Sequence, residues 1–187
     1  RFIVRDPKLR TIHAAAFQER VMHHALMRVV GPILERSTVF DSYACHAGKG
    51  QWGAVRRAER FARRYGFFLK FDIRKYFDNI DHPILLRQLE RRIKDRAVLD
   101  WFSRIIRSYE VAPGKGLPIG SLTSQHLANA YLGPLDRWLS GRRASGGVVR
   151  YMDDVTVWSN DLGALRGLRS DVPEFLKDTL ELDVKAT

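Results

Sequence analysis

Three aspartates stand where an ordinary fold would not choose acids. Asp72 closes the apolar run Phe67-Phe68-Leu69-Lys70-Phe71. A carboxylate at the exit of such a run is costly unless water, a cation or a metal compensates it. Asp153 and Asp154 are adjacent, and their flanks carry Val148, Val149, Val155 and Val157. Like charges this close raise each other's proton affinity unless a divalent cation balances them. Nucleotidyl transfer supplies a reason for the arrangement. Two Mg²⁺ ions about 3.5–4 Å apart can activate a primer 3′-hydroxyl and steady the leaving pyrophosphate. Mg²⁺ takes oxygen ligands and needs few carboxylates, because substrate phosphates and water complete its octahedron. The plain alternative is a polar turn at Asp153-Asp154 and a helix cap at Asp72. Either motif alone leaves that open; the two together, in this order, weigh against it.

The elements that must position these residues follow from local pattern. Asp6-Pro7-Lys8 is a turn signal between short extended runs at 2–4 and 9–13. A helix is expected over about 15–36, with Val21, Leu26, Val29, Val30, Ile33 and Leu34 near helical spacing. A loop over 41–50 precedes a second helix at about 52–65. Phe67 to Ile73 reads as a buried strand, and Asp81 with Pro83 as a helix start continuing through the basic stretch to Lys94. Further helices are expected at 96–108, at about 121–139 and at 162–180. Val148–Tyr151 and Val155–Trp158 form a hairpin through Met152-Asp153-Asp154, and a short strand is expected at 181–185. Strands and helices mix without a regular βαβ alternation, so the class is α+β.

Composition narrows the functions. The chain has 187 residues, 45% hydrophobic and 28% charged, with a net charge of +11. That is a folded-domain balance, and the excess of Lys and Arg suits a polyanionic partner such as nucleic acid. A merely basic, soluble protein is the bland alternative. Cys45 is the single cysteine, which excludes an internal disulfide and a cysteine-based zinc site and fits a reducing, cytoplasmic setting. No apolar run approaches a membrane span. The abrupt ends suggest a piece of a longer protein. His23 and His24 have no partner at ligand spacing, so packing or surface roles are expected. The helix at 52–65 carries Arg56, Arg57, Arg60, Arg63 and Arg64 against Glu59, which favours a nucleic-acid track over a solvated face.

Phe71-Asp72-Ile73-Arg74-Lys75-Tyr76-Phe77-Asp78-Asn79-Ile80-Asp81-His82, then Gly116-Leu117-Pro118-Ile119-Gly120, then Tyr151-Met152-Asp153-Asp154 form an ordered set. In that order the sequence resembles reverse transcriptases over essentially its whole length. The resemblance implies a right-hand polymerase with fingers from 1–66 and 83–118 and a palm from 67–82 and 119–187. The palm would be an antiparallel sheet backed by helices, with the thumb absent and a correspondingly poor grip on primer-template. It implies two Mg²⁺ ions, with Mn²⁺ as a substitute, at Asp72, Ile73, Asp153 and Asp154. Phe77 would be the steric gate beneath the sugar; as a residue type alone it could equally be core. Arg1, Lys8 and Arg10 would meet the incoming triphosphate, beside Ile119, Gly120 and Gln125, unless they belong to a solvated turn. Lys185 resembles the lysine that protonates pyrophosphate, and Tyr151 and Met152 would face nucleic acid. Implied partners are an RNA template, a DNA or RNA primer and dNTPs.

Two stretches resemble a narrower group, the reverse transcriptases of bacterial diversity-generating retroelements. One runs from Asp6-Pro7-Lys8 through His23-His24-Ala25-Leu26 to Asp41-Ser42-Tyr43-Ala44-Cys45-His46-Ala47-Gly48-Lys49-Gly50; the other is Ile119-Gly120-Ser121-Leu122-Thr123-Ser124-Gln125. Most relatives carry Gln at the place of Ile119 and Pro at that of Gln125. Isoleucine offers contact area without a hydrogen bond, so discrimination that depends on such bonds should weaken. The group copies with errors opposite template adenine and works with a small basic accessory protein. Group II intron, retron and phage-defence enzymes are the rivals within the family. From other classes come a catalytically silent nucleic-acid-binding module and a scaffold that binds through charge alone. Three intact aspartates argue against the first, and the gate position and aspartate order against the second.

Overall fold

Two packing units make up the chain in a computed structural model that describes residues 2–6, 8–142 and 145–185, with 6 and 8–10 as backbone alone. In chain order the elements are β1 (Phe2–Asp6), β2 (Lys8–Ile12), α1 (Phe17–Arg36), α2 (Gly50–Arg64), β3 (Phe67–Phe71) and α3 (Tyr76–Asn79). Then come α4 (His82–Glu90), α5 (Arg96–Arg107), α6 (Leu122–Tyr131), α7 (Gly133–Ser140), β4 (Gly147–Tyr151), β5 (Asp154–Ser159) and α8 (Leu162–Leu180). One unit holds Arg1–Ser37 and Phe77–Tyr131, the other Thr38–Tyr76 and Leu132–Thr187. Residues 38–66 pack with the sheet because α2 lies on β4 and β5, and α6 packs with α1.

The first unit is helical apart from the antiparallel β1–β2 hairpin. Its core gathers Met27, Val30 and Leu34 of α1, Leu85 and Leu89 of α4, Phe102 and Ile106 of α5, and Leu127 and Tyr131 of α6. Val21 and Val29, expected on the buried face of the first helix, are 53% and 69% exposed; Met27 and Gly31 take that face instead. α4 starts as read, with Asp81 Oδ1 accepting from the Ile84 N–H at 2.8 Å and Pro83 in the first turn. It ends at Glu90 rather than running to Lys94. The N–H groups of both Arg92 and Ile93 turn back to the Leu89 carbonyl.

In the second unit the sheet order is β3-β5-β4, antiparallel throughout. Successive residues alternate between its faces. One face joins Val149 and Trp158 to Tyr43, Ala54 and Phe61, a cluster built on α2. α8 packs on β3 and β5, contributing Leu165, Leu168, Val172 and Leu176 to the core. β3 is an edge strand, not a buried one: Phe67 and Phe68 are 42% and 66% exposed, and burial begins at Phe71 and Ile73. The expected helix over 121–139 is two helices, because Pro134 has no N–H to continue the first and opens α7 instead. The expected last strand is a single bridge, Val184 with Ile73.

Candidate active site

The hairpin register places the acids. β4 and β5 pair as far as Tyr151 with Asp154, so Met152 and Asp153 form a two-residue turn. β3 pairs with β5 as far as Phe71 with Val155, and Asp72 leaves the strand one step beyond. The Asp72 and Asp153 carboxyls lie close enough to act on each other's ionisation. Burial, with the charges of Asp72 and Asp154, pushes the Asp153 carboxyl up to about 6. Asp154 turns to Lys70 on β3, Nζ to Oδ2 2.8 Å. Among the described residues no group of three or more His, Cys, Asp or Glu is arranged to hold a metal ion. The donor chemistry of Asp72 and Asp153 nonetheless fits a hard cation: two carboxylates share one space, and one has a raised proton affinity that a cation would relieve. Asp154 would have to leave Lys70 to join them. Ile73 is 2% exposed and has only its backbone carbonyl to offer as a hard donor.

The 183–185 segment fixes Asp72. Arg74 N–H donates to the Asp183 carbonyl, and Lys185 N–H donates to the Asp72 carbonyl, both at 2.9 Å. Lys185 Nζ then lies 3.3 Å from Asp72 Oδ2, so two residues named from sequence meet. Sequence reasoning missed the buried partner of the aspartate turn. Arg150, 0% exposed, forms a bidentate pair with Asp136 of α7. A charged residue inside the run Val148-Val149-Arg150-Tyr151 was the available signal. Tyr151 is 40% exposed beside it, and Met152 has a positive φ of 54°.

In the first unit, the loop 113–118 is tied to the segment that carries Phe77. Leu117 N–H donates to the Phe77 carbonyl at 2.8 Å, and Gly116 N–H to the Ile80 carbonyl at 2.9 Å. Phe77 itself is half-buried. The Ile119 carbonyl accepts from the His13 N–H at 2.8 Å, which anchors the end of β2. Gly120 has φ +106°, and a Cβ there would lie 2.5 Å from Ile12 Cγ2, so glycine is required on two grounds. Gln125 is exposed on α6. The expected contributions of Arg1 and of the Lys8 and Arg10 side chains lie outside the described residues. His23 is half-buried, its pKa lowered by burial, with Nδ1 3.5 Å from Ser121 Oγ. That is the packing role expected of it.

On α2, Arg56, Arg60, Arg63 and Arg64 are exposed. Arg57 differs: it forms a bidentate pair with Asp41 at 2.9 and 3.0 Å and lies 4.4 Å from the Phe61 ring centre. It pins the preceding loop to the helix, so its guanidinium is already engaged where a nucleic-acid contact was expected.

Comparison with known proteins bears on this geometry. The family model described as reverse transcriptase (RNA-dependent DNA polymerase) matches residues 5–187. The Putative COX1/OXI3 intron 2 protein of Saccharomyces cerevisiae is 25% identical over 67% of this chain and 16% of its own length. Protein YkfC of Escherichia coli is 25% identical over 83% of this chain and 43% of its own. The Group II intron-encoded protein LtrA of Lactococcus lactis subsp. cremoris is 26% identical over 71% and 23%. The chain thus spans less than half the length of each of these relatives. Among solved structures, telomerase from Candida albicans superposes with TM-score 0.60 at 14% identity, over 89% of this chain and 33% of that one. Telomerase from Candida tropicalis superposes at 0.65 and 12%, over 94% and 46%. These last two likenesses concern the fold alone.

Proposed function

The chain belongs to the reverse transcriptase (RNA-dependent DNA polymerase) family, and from that premise we propose that it adds dNTPs to a primer 3′-hydroxyl on an RNA template. The observation that carries the proposal is the convergence of Asp72, Asp153 and Asp154 at the ends of neighbouring strands. Asp72, Asp153 and Asp154, with the Ile73 carbonyl, would hold two Mg²⁺ ions, or Mn²⁺ in their place. Bound there, the ions would supply Lewis acidity to the primer hydroxyl and charge for the pyrophosphate. The protein's own groups do the rest. Lys70 and Lys185 carry positive charge beside the carboxylates, and Lys185 is suited to give a proton to the leaving group. Phe77 is read as the sugar gate, and Ile119, Gly120 and Gln125 as nucleotide contacts. Arg56, Arg60, Arg63 and Arg64, with Tyr151 and Met152, are read as nucleic-acid contacts. The division into fingers (1–66, 83–118) and palm (67–82, 119–187) belongs to the same reading.

Extension of a DNA or RNA primer on an RNA template, with Mg²⁺ and the intact native protein, tests the reading. Template-dependent incorporation is the expected result. RNA binding without extension under any divalent ion would put the binding-module reading ahead. Within the family, Ile119 and Gln125 support the diversity-generating type, with errors opposite adenine and a basic accessory protein. The intron-encoded relatives favour the group II type as the second reading. Ile119→Gln separates them: fewer errors opposite adenine are expected from the first type, and an unchanged error spectrum from the second.

A further inference from the structure

Beneath the aspartate turn lies an ion pair with no part in the reading above. Arg150 Nε and Nη2 donate to the two Asp136 oxygens, each at 2.6 Å. Nη2 also donates to Ser42 Oγ at 3.1 Å, and Nη1 to the Met152 carbonyl at 2.9 Å. The Arg150 backbone is held too, its N–H by the Asp41 carbonyl and its carbonyl by the Tyr43 N–H, both at 3.0 Å. Arg150 and Asp136 side chains are each 1% exposed. Stability alone is a poor reason to keep such a pair, since apolar residues of similar volume often serve a core as well or better.

The contact that apolar residues could not replace is the one to Met152. That residue has φ 54°, a conformation that side chains other than glycine rarely adopt and that surroundings must enforce. Its carbonyl belongs to the peptide leading directly into Asp153. We infer that Arg150, clamped by Asp136 and Ser42, is a positioning residue that fixes the Met152-Asp153 turn and so aims Asp153 at Asp72. A planar guanidinium is needed because it makes all four of these bonds at once, two of them side by side to the carboxylate; an ammonium has only three donors, all on one atom. The inference rests on reading Asp72 and Asp153 as the metal-holding pair. It extends that reading to Asp41-Ser42-Tyr43, whose loop forms a parallel bridge to β4 at Arg150.

The test uses the intact protein and the double variant Arg150→Met/Asp136→Leu, which replaces the pair with apolar bulk. Three quantities are read: the melting temperature, Mn²⁺ binding followed by the paramagnetic signal of the free ion, and the Mg²⁺ dependence of primer extension. Melting close to wild type is expected, with Mn²⁺ affinity reduced about tenfold or more, as for other groups that orient metal ligands. The Mg²⁺ needed for half-maximal extension rises in parallel, while the KM for dNTP stays near wild type. Wild-type Mn²⁺ binding and Mg²⁺ dependence in a folded double variant would overturn the inference and leave the pair as packing. Should the double variant not fold, Arg150→Lys keeps the charge beside Asp136 and is expected to show the same metal defect. A wild-type result there, or loss of folding in both, overturns the inference as well. Wild-type protein that never extends a primer would sink the polymerase reading instead, and Mn²⁺ binding would still decide the role of Arg150.

Discussion

At the scale of the residue, Asp153 is held under electrostatic stress. An unfolded aspartate titrates near 3.8, whereas burial and neighbouring acids push this one up to about 6. The folded chain therefore binds more protons between those values. The ionised carboxylate destabilises the fold above about pH 6, and that destabilisation disappears as pH falls toward 4. Asp153→Asn is expected to raise stability at pH 7.5 in metal-free buffer by on the order of 1 kcal/mol, allowing for screening at a partly exposed site. At pH 4 the variant should match wild type. Thermal melts at both pH values check this; equal stability at pH 7.5 would mean that the neighbours do not strain Asp153. The Lys70–Asp154 pair has both side chains about half exposed, so it should contribute little to stability. It remains free to exchange for a stronger cation.

At the scale of the element, the sequence carried most of the positions because the signals are local. Asp81, Asp95 and Asp161 each cap a helix, accepting from the N–H three residues on. The hairpin follows from valine runs on both sides, although its turn is Met152 and Asp153 alone, with Asp154 already paired to Tyr151. Pro134, which divides the expected 121–139 helix, was a local signal passed over; the other main failure was non-local. Phe67 and Phe68 are apolar enough for a buried strand, yet β3 lies at the sheet edge, and no local pattern reports strand order. Asp72 and Asp153 could be named from sequence. The Arg150–Asp136 pair could not, because it joins a strand to a helix and periodicity is blind to which partner a charge meets. Gly120 shows how an element can depend on a single atom. Gly120→Ala is expected to lower stability by about 1–3 kcal/mol through contact with Ile12 and the positive φ. Chemical denaturation would measure it, and a loss below about 0.5 kcal/mol would mean that β2 shifts freely.

At the scale of the whole molecule, charge and chemistry separate into two testable roles. A net charge of +11 should make RNA binding steeply salt-dependent. Arg60 and Arg63 are exposed on α2, so Arg60→Ala with Arg63→Ala should weaken binding and lower the log–log salt slope by about 1–2. Arg57→Ala should instead lower stability, because it leaves Asp41 without its bidentate partner. An unchanged salt slope in the Arg60/Arg63 variant would move the nucleic-acid track elsewhere. No described helix is long and apolar enough to cross a membrane. Polymerase chemistry at Asp72 and Asp153 is tested most directly by single-nucleotide incorporation into a primer on an RNA template, with wild type and Asp153→Asn compared in the intact protein. Incorporation should fall by about a hundredfold to a thousandfold or more, the scale of losing a principal electrostatic group, while RNA affinity stays within about threefold. Incorporation by folded Asp153→Asn at the wild-type rate would contradict the account at its centre.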